Sequence, residues 1–221
     1  MPELLTQLPC TAFIQALASR DPVPGGGGAS AITGARGAAL CSMAGSLSAG
    51  RKSLEASREE LEQLLVQCQR IQIRLLELVE EDAVAFIPLS RAYSIPKGAP
   101  DRAKVMEQAA LAACQPPLEI MRACCQAIDL LSEMLGRSSP ALISDVGCGA
   151  LLCRAALESA SLNVYANTRS LRDRTKAGAL EEKADTMLEH YLPLADRISR
   201  AVLRRLRSGS KPSASEGQKL C

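Results

Sequence analysis

A seven-residue repeat of apolar positions dominates the middle of the chain. The repeat consists of Leu61, Cys68, Leu75, Asp82 and Leu89, and other apolar residues accompany it at helical spacing. This pattern predicts one long amphipathic helix over 53–92, with its final turns bent at Pro88. Asp82 breaks the apolar character of the stripe, because burying a carboxylate is costly. It is therefore the first candidate for a functional residue.

The same periodicity predicts an all-α fold, a bundle of about six helices with one very long member. Ala, Leu, Glu and Arg are abundant, and only 2% of the residues are aromatic, which favours helices over sheets. We predict a single domain over 1–207, followed by a polar, disordered tail at 208–221. The predicted helices are 3–18, 29–48, 53–92, 101–135 with a kink or restart at Pro116-Pro117, 141–168 and 175–207.

Charge and composition exclude several classes of protein. A net charge of +2 is too small to attract the whole molecule to nucleic acid or to an acidic membrane. The segment 29–49 is long enough to span a bilayer but too polar to insert. We therefore expect a soluble protein with neither nucleic acid nor membrane as a partner.

The cysteines and the single histidine give further expectations. Nine cysteines occur without a Cys-x-x-Cys pair, and the N-terminus lacks the pattern of a signal peptide. We expect reduced thiols, five of them at small apolar helix positions, in a cytoplasmic protein. His190 is expected at the surface, and no metal site is predicted.

A run of four glycines, Gly25 to Gly28, follows Pro22-Val23-Pro24 and leads into the second predicted helix. It does not fit the dinucleotide fingerprint or the P-loop, because no strand precedes it and the later residues of both motifs are missing. Two interpretations stay open. Free N–H groups at the helix start could hold an anionic or carbonyl oxygen, or the glycines could form only a tight turn between helices.

Helical geometry places Asp82 on the buried stripe, and it places Glu80 and Glu81 toward solvent. Desolvation should raise the pKa of Asp82 toward neutrality, which suits a group that accepts and returns a proton. The alternative is an aspartate that pairs with an Arg or Lys inside the bundle.

A third candidate is one face of the helix over 141–168. Its polar ends flank a groove of small residues, where a flat ligand could bind or another helix could pack. The face consists of Asp145, Gly149, Leu152, Ala156, Ala160, Asn163 and Asn167.

Five segments together resemble the cyclodeaminase/cyclohydrolase family of folate enzymes, which includes the C-terminal domain of formiminotransferase-cyclodeaminase. They occur in the family's order and extend through Asp173. The segments are Pro22-Val23-Pro24-Gly25-Gly26-Gly27, Glu81-Asp82-Ala83-Val84-Ala85-Phe86 with Ala92-Tyr93-Ser94-Ile95-Pro96-Lys97, the Pro117-Leu118 helix, Ser144-Asp145-Val146, and Asn163-Val164-Tyr165-Ala166-Asn167.

The resemblance implies an all-helical homodimer that binds a tetrahydrofolate derivative and needs no cofactor beyond this substrate. The reaction we favour from it is cyclisation of 5-formimino-tetrahydrofolate to 5,10-methenyl-tetrahydrofolate with release of ammonia. The alternative reaction is hydrolysis of 5,10-methenyl- to 10-formyl-tetrahydrofolate. Two other classes remain open, a folate-binding helical dimer without turnover and a helical adaptor without ligand.

The resemblance also implies roles for individual residues. Asp82 would be the acid/base, and Lys97 would pair with a folate carboxylate or with developing charge. Gly25, Gly26 and Gly27 would let the backbone approach the ligand, while Asp145, Asn163 and Asn167 would hold the pterin. Gly28 departs from the family, in which a serine commonly follows three glycines, and Ser30 could supply the missing hydroxyl.

Overall fold

The computed structural model describes residues 4–49 and 58–208. Over these ranges the chain is helical and contains no strand, which confirms the all-α prediction. The predicted tail beyond residue 208 and the predicted start of the long helix at 53 lie outside the described residues. A single 3-10 turn, Leu5–Gln7, precedes helices α1 (Cys10–Leu17), α2 (Gly26–Ser48), α3 (Arg58–Tyr93), α4 (Arg102–Ala113), α5 (Gln115–Arg137), α6 (Ile143–Thr168) and α7 (Arg174–Ser208).

Prolines set the boundaries of several helices. The helix predicted over 3–18 is divided, because Pro9 caps the start of α1 and has no N–H to continue an earlier helix. The restart predicted at Pro116-Pro117 is confirmed, because α4 ends at Ala113 and both prolines are accepted in the first turn of α5, where N–H groups have no intrahelical acceptor. By contrast, α3 continues through Pro88 to Tyr93.

The central helix is α2, which packs against α3, α5 and α6. Its contact with α6 is close to backbone on backbone: a Cβ at Gly37 would lie 2.8 Å from the Gly149 carbonyl oxygen, and a Cβ at Gly149 would lie 3.0 Å from that of Gly37. A Cβ at Gly34 would lie 2.8 Å from Cys124 Sγ. The small residues of α2 thus permit unusually close packing of the helices around it.

The apolar stripe of α3 faces this packed interior, as its periodicity predicts. Leu75, Leu78, Val79 and Leu89 are fully buried. The five cysteines expected at apolar helix positions are buried free thiols, namely Cys41, Cys68, Cys114, Cys124 and Cys153. Within the described ranges, no helix has the length and apolar character needed to cross a membrane.

Candidate active site

The carboxyl group of Asp82 on α3 lies directly against the backbone of Gly27 at the start of α2. A Cβ placed on Gly27 would overlap all three atoms of that carboxyl group. Gly27 is therefore required here, because any side chain would occupy the space of the acid. The glycine run does serve a close approach, and in this structure the approaching group is Asp82.

The start of α2 also supplies a hydrogen bond to this acid. The N–H groups in the first turn of any helix lack intrahelical acceptors. The N-cap of α2 is Gly25, which has no side chain that could accept from them. The backbone N–H of Gly28 donates to the Asp82 carboxylate. Asp82 thus caps α2 from a neighbouring helix, at the end where the helix dipole favours negative charge.

Burial nevertheless dominates the electrostatics of Asp82. Desolvation raises its pKa to about 6, against the opposing effect of the Gly28 N–H. Among the described residues, no Arg or Lys contributes to this shift, so the alternative of an aspartate paired with a basic residue inside the bundle does not hold there. A carboxyl group with a pKa near neutrality can both take up and release a proton at physiological pH.

The two neighbouring glutamates have other partners. Glu81 is exposed and binds the guanidinium of Arg74, at 2.5 and 3.0 Å, which lowers the pKa of Glu81. Glu80 was expected in solvent, but it is half-buried and accepts hydrogen bonds from the backbone N–H and hydroxyl of Thr6, at 2.9 and 3.1 Å. The acid facing the glycine turn is therefore Asp82.

Asn163 on α6 forms a second side of the glycine turn, next to Gly26. Its Oδ1 lies 3.1 Å from the position that a Cβ on Gly26 would take. Its Nδ2 donates to the carbonyl oxygen of Ser159, one turn earlier on the same helix, at 2.9 Å. The structure therefore brings Gly26 and Gly27 together with Asp82 and Asn163.

The remaining candidates lie elsewhere. Asn167 is buried, and its Nδ2 donates to the carbonyl oxygen of Ala113 at 2.7 Å, which attaches α6 to the end of α4. Lys97 is exposed in the connection between α3 and α4. Asp145 lies in the first turn of α6, and 18 residues at 1.5 Å each separate it from Asn163 by about 27 Å. One pterin cannot contact both residues of the same chain.

Three features of this site go beyond the sequence-based predictions: Asp82 as the partner of the Gly28 N–H, the hydroxyl of Ser159, and the contact between that hydroxyl and Ser30. Ser30 Oγ and Ser159 Oγ lie 2.8 Å apart and join α2 to α6. Helical spacing offered a signal for Ser159, because it lies four residues before Asn163 and so on the same face.

These features define a class: an all-helical protein in which a desolvated carboxylate caps a helix that starts in an oligoglycine turn. The chain belongs to the formiminotransferase-cyclodeaminase family, whose model matches residues 9–186. That match includes every candidate residue discussed above.

Relatives named for two reactions resemble the chain. It is 36% identical over 194 residues to a methenyltetrahydrofolate cyclohydrolase of Methylorubrum extorquens, which covers 86% of this chain and 93% of that protein. It is 28% identical over 200 residues to the formimidoyltransferase-cyclodeaminase of Sus scrofa, covering 84% of this chain and 35% of the relative. The chain thus spans about a third of the length of that longer protein.

A solved structure shows the same fold. The crystal structure of a formiminotetrahydrofolate cyclodeaminase from Thermotoga maritima matches with a TM-score of 0.77 and 23% sequence identity. The match covers 91% of this chain and 97% of that chain.

Proposed function

We propose that the protein is a tetrahydrofolate one-carbon enzyme that hydrolyses 5,10-methenyl-tetrahydrofolate to 10-formyl-tetrahydrofolate. The observation that carries the proposal is the Asp82 carboxyl group, desolvated beside the glycine turn with a pKa near 6. The choice of hydrolysis is supported by the cyclohydrolase relative, which matches this chain over nearly the whole length of both proteins.

The proposed reaction needs one group that moves a proton twice. Ionised Asp82 accepts a proton from water as the water oxygen bonds to the bridging carbon, forming a tetrahedral centre. Protonated Asp82 then returns that proton to N5 as the bond between the carbon and N5 breaks. The remaining hydroxyl proton passes to solvent as the C=O bond of the formyl group on N10 forms. A pKa near neutrality serves both steps, because the ionised carboxylate is basic enough to accept a proton and the protonated acid is acidic enough to donate it.

Ligand contacts follow from the positions of the other residues. The exposed backbone of Gly26 and the amide of Asn163 would contact the pterin, because Asn163 offers an acceptor and a second N–H beside the turn. Lys97, exposed after α3, would pair with a folate carboxylate. The homodimer and the cytoplasmic location remain part of the proposal.

Cyclodeamination of 5-formimino-tetrahydrofolate is the second candidate. It is supported by the shared fold with the Thermotoga maritima protein, whose chain is covered almost completely. The same acid would serve, since ammonia must leave a tetrahedral carbon as a protonated amine. Both reactions therefore predict dependence on Asp82.

Absorbance of the methenyl-folate chromophore distinguishes the candidates with purified protein. Faster loss of methenyl absorbance with the protein than in a protein-free control supports hydrolysis, and the appearance of this absorbance from the formimino compound supports cyclodeamination.

Asp82→Asn should abolish either activity. Asp129→Asn is the matched control, because Asp129 is also half-buried with a raised pKa but binds Tyr191 on α7. Turnover of neither folate, or full activity of Asp82→Asn, would contradict the proposal.

A further inference from the structure

A pair of serine hydroxyls joins the two helices that form the candidate site. Ser30 lies one turn into α2 and is only 2% exposed. Its Oγ donates to the carbonyl oxygen of Gly26 at 2.6 Å and lies 2.8 Å from Ser159 Oγ on α6. Ser159 Oγ also lies 2.7 Å from the carbonyl oxygen of Ala155.

The two hydroxyls must donate their protons in the same direction along the pair. Each hydroxyl has a single proton, and the distance between the two oxygens requires one of those protons. If Ser30 donates to Gly26, Ser159 must donate to Ser30, and a directed chain runs from α6 to the glycine turn. In the reverse order the chain ends on the carbonyl of Ala155. In both cases, removal of either hydroxyl breaks the link between the helices.

Ser159 also orients the side chain on the other wall of the site. Its carbonyl oxygen accepts from Asn163 Nδ2 at 2.9 Å, which directs the amide across Gly26. A single residue of α6 thus contacts both the start of α2, through its hydroxyl, and Asn163, through its backbone. The spacing between the wall with Asp82 and the wall with Asn163 depends on this residue.

We propose that Ser30 and Ser159 are positioning residues that fix the distance between the glycine turn, on which Asp82 rests, and the amide of Asn163. This inference rests on the proposed function for its kinetic meaning. Neither hydroxyl needs to touch the substrate. Their effect passes through Gly26, Gly28 and Asn163.

The kinetic test compares Ser30→Ala, Ser159→Ala and the double variant. Loss of alignment should lower kcat about tenfold in each single variant. The double variant should be no worse than the singles, because one link is broken in all three. Ser159→Thr restores a hydroxyl at a half-buried position and should recover most of the lost kcat.

Two matched controls remove hydroxyls that bind only their own helix. Thr33 Oγ1 donates to the Ala29 carbonyl on α2 at 2.8 Å, and Ser161 Oγ donates to the Glu158 carbonyl on α6 at 2.7 Å. Thr33→Ala and Ser161→Ala should keep kcat within about twofold of the starting protein, since neither bond crosses between helices. Equal kcat losses in these controls and in Ser159→Ala would overturn the proposal.

A second readout needs no substrate. The Gly28 N–H has Asp82 as its acceptor, so its hydrogen exchange, measured by NMR on the ligand-free protein, reports how firmly the turn is held. Exchange should be faster in Ser30→Ala and Ser159→Ala than in the two controls. Unchanged exchange in both would overturn the inference, whether or not the protein turns over a folate. Failure of the proposed function, by contrast, would appear as an inactive starting protein with its exchange differences intact.

Discussion

The carboxyl group of Asp82 occupies the space that a side chain at Gly27 would need. The acid on α3 and the missing side chain on α2 are therefore one feature, and neither residue is explained without the other. This relationship holds Asp82 at the start of α2, where its side chain is half-buried.

Gly27→Ala should reduce activity by about 10²-fold, because the new Cβ must displace the acid. Gly28→Ala should cost much less. Its Cβ would meet Val79 Cγ1 at 3.5 Å and Pro24 Cβ at 3.7 Å, which are ordinary contacts, and the N–H that binds Asp82 is kept. Initial rates of Gly27→Ala and Gly28→Ala with 5,10-methenyl-tetrahydrofolate test this difference. Equal losses in both variants would show that the turn simply tolerates no alanine.

Asp82→Asn should stabilise the fold while removing activity. The pKa of Asp82 rises from 3.8 to about 6 on folding, so ionisation is easier in the unfolded chain. The contribution of Asp82 to stability is then least unfavourable below pH 4 and becomes more unfavourable as the pH rises toward 6. A shift of this size corresponds to roughly 3 kcal/mol, which the neutral amide avoids at pH 7. Urea unfolding of Asp82→Asn and of the starting protein at pH 4 and pH 7 measures this difference in the free energy of unfolding. A variant less stable than the starting protein at pH 7 would contradict the assigned desolvation.

The pH dependence of hydrolysis follows from the same group. The ionised acid accepts the proton of water, so kcat/KM should rise as the pH increases through about 6 and level off above it. Rates after subtraction of the protein-free reaction, measured from pH 5 to 8, give the apparent pKa. A profile that falls through this range would assign the protonated acid to the rate-limiting step.

The sequence predicts the parts of this site that depend on residues near one another in the chain, and it does not predict contacts between residues far apart in the chain. The seven-residue repeat placed Asp82 on the buried stripe, because helical periodicity is local. It could not show that Gly28 supplies the hydrogen bond, since that contact joins residues 54 positions apart. Asp145 and Asn163 share a helix face in the pattern, but a shared face is not a shared site: their 18-residue spacing at 1.5 Å per residue already places them about 27 Å apart. Glu80 was wrongly expected in solvent because Thr6, its partner, belongs to another element.

Two asparagines on α6 should separate binding from stability. Asn163→Ala removes an amide beside the glycine turn, and we expect KM to rise about tenfold with little change in unfolding. Asn167→Ala leaves the Ala113 carbonyl without its buried donor, and we expect a loss of about 1–3 kcal/mol of stability. Urea denaturation and steady-state kinetics on both variants check this. A larger KM effect for Asn167→Ala than for Asn163→Ala would place Asn167 at the ligand.

The contact between α2 and α6 should be the most sensitive packing site outside the glycine turn. Gly37→Ala would force a Cβ against Cys153 Sγ and the Gly149 carbonyl, and that carbonyl cannot move without shifting α6. We expect a loss of about 1–3 kcal/mol, as for other overpacked cores. Gly178→Ala on α7 is the control, because nothing lies within 4 Å of its Cβ position and alanine favours helix, so it should gain up to about 1 kcal/mol. Since α6 also carries Asn163, Gly37→Ala should lower activity even at temperatures where it stays folded. Normal kinetics in a destabilised Gly37→Ala would show that the glycine turn keeps its geometry independently of this contact.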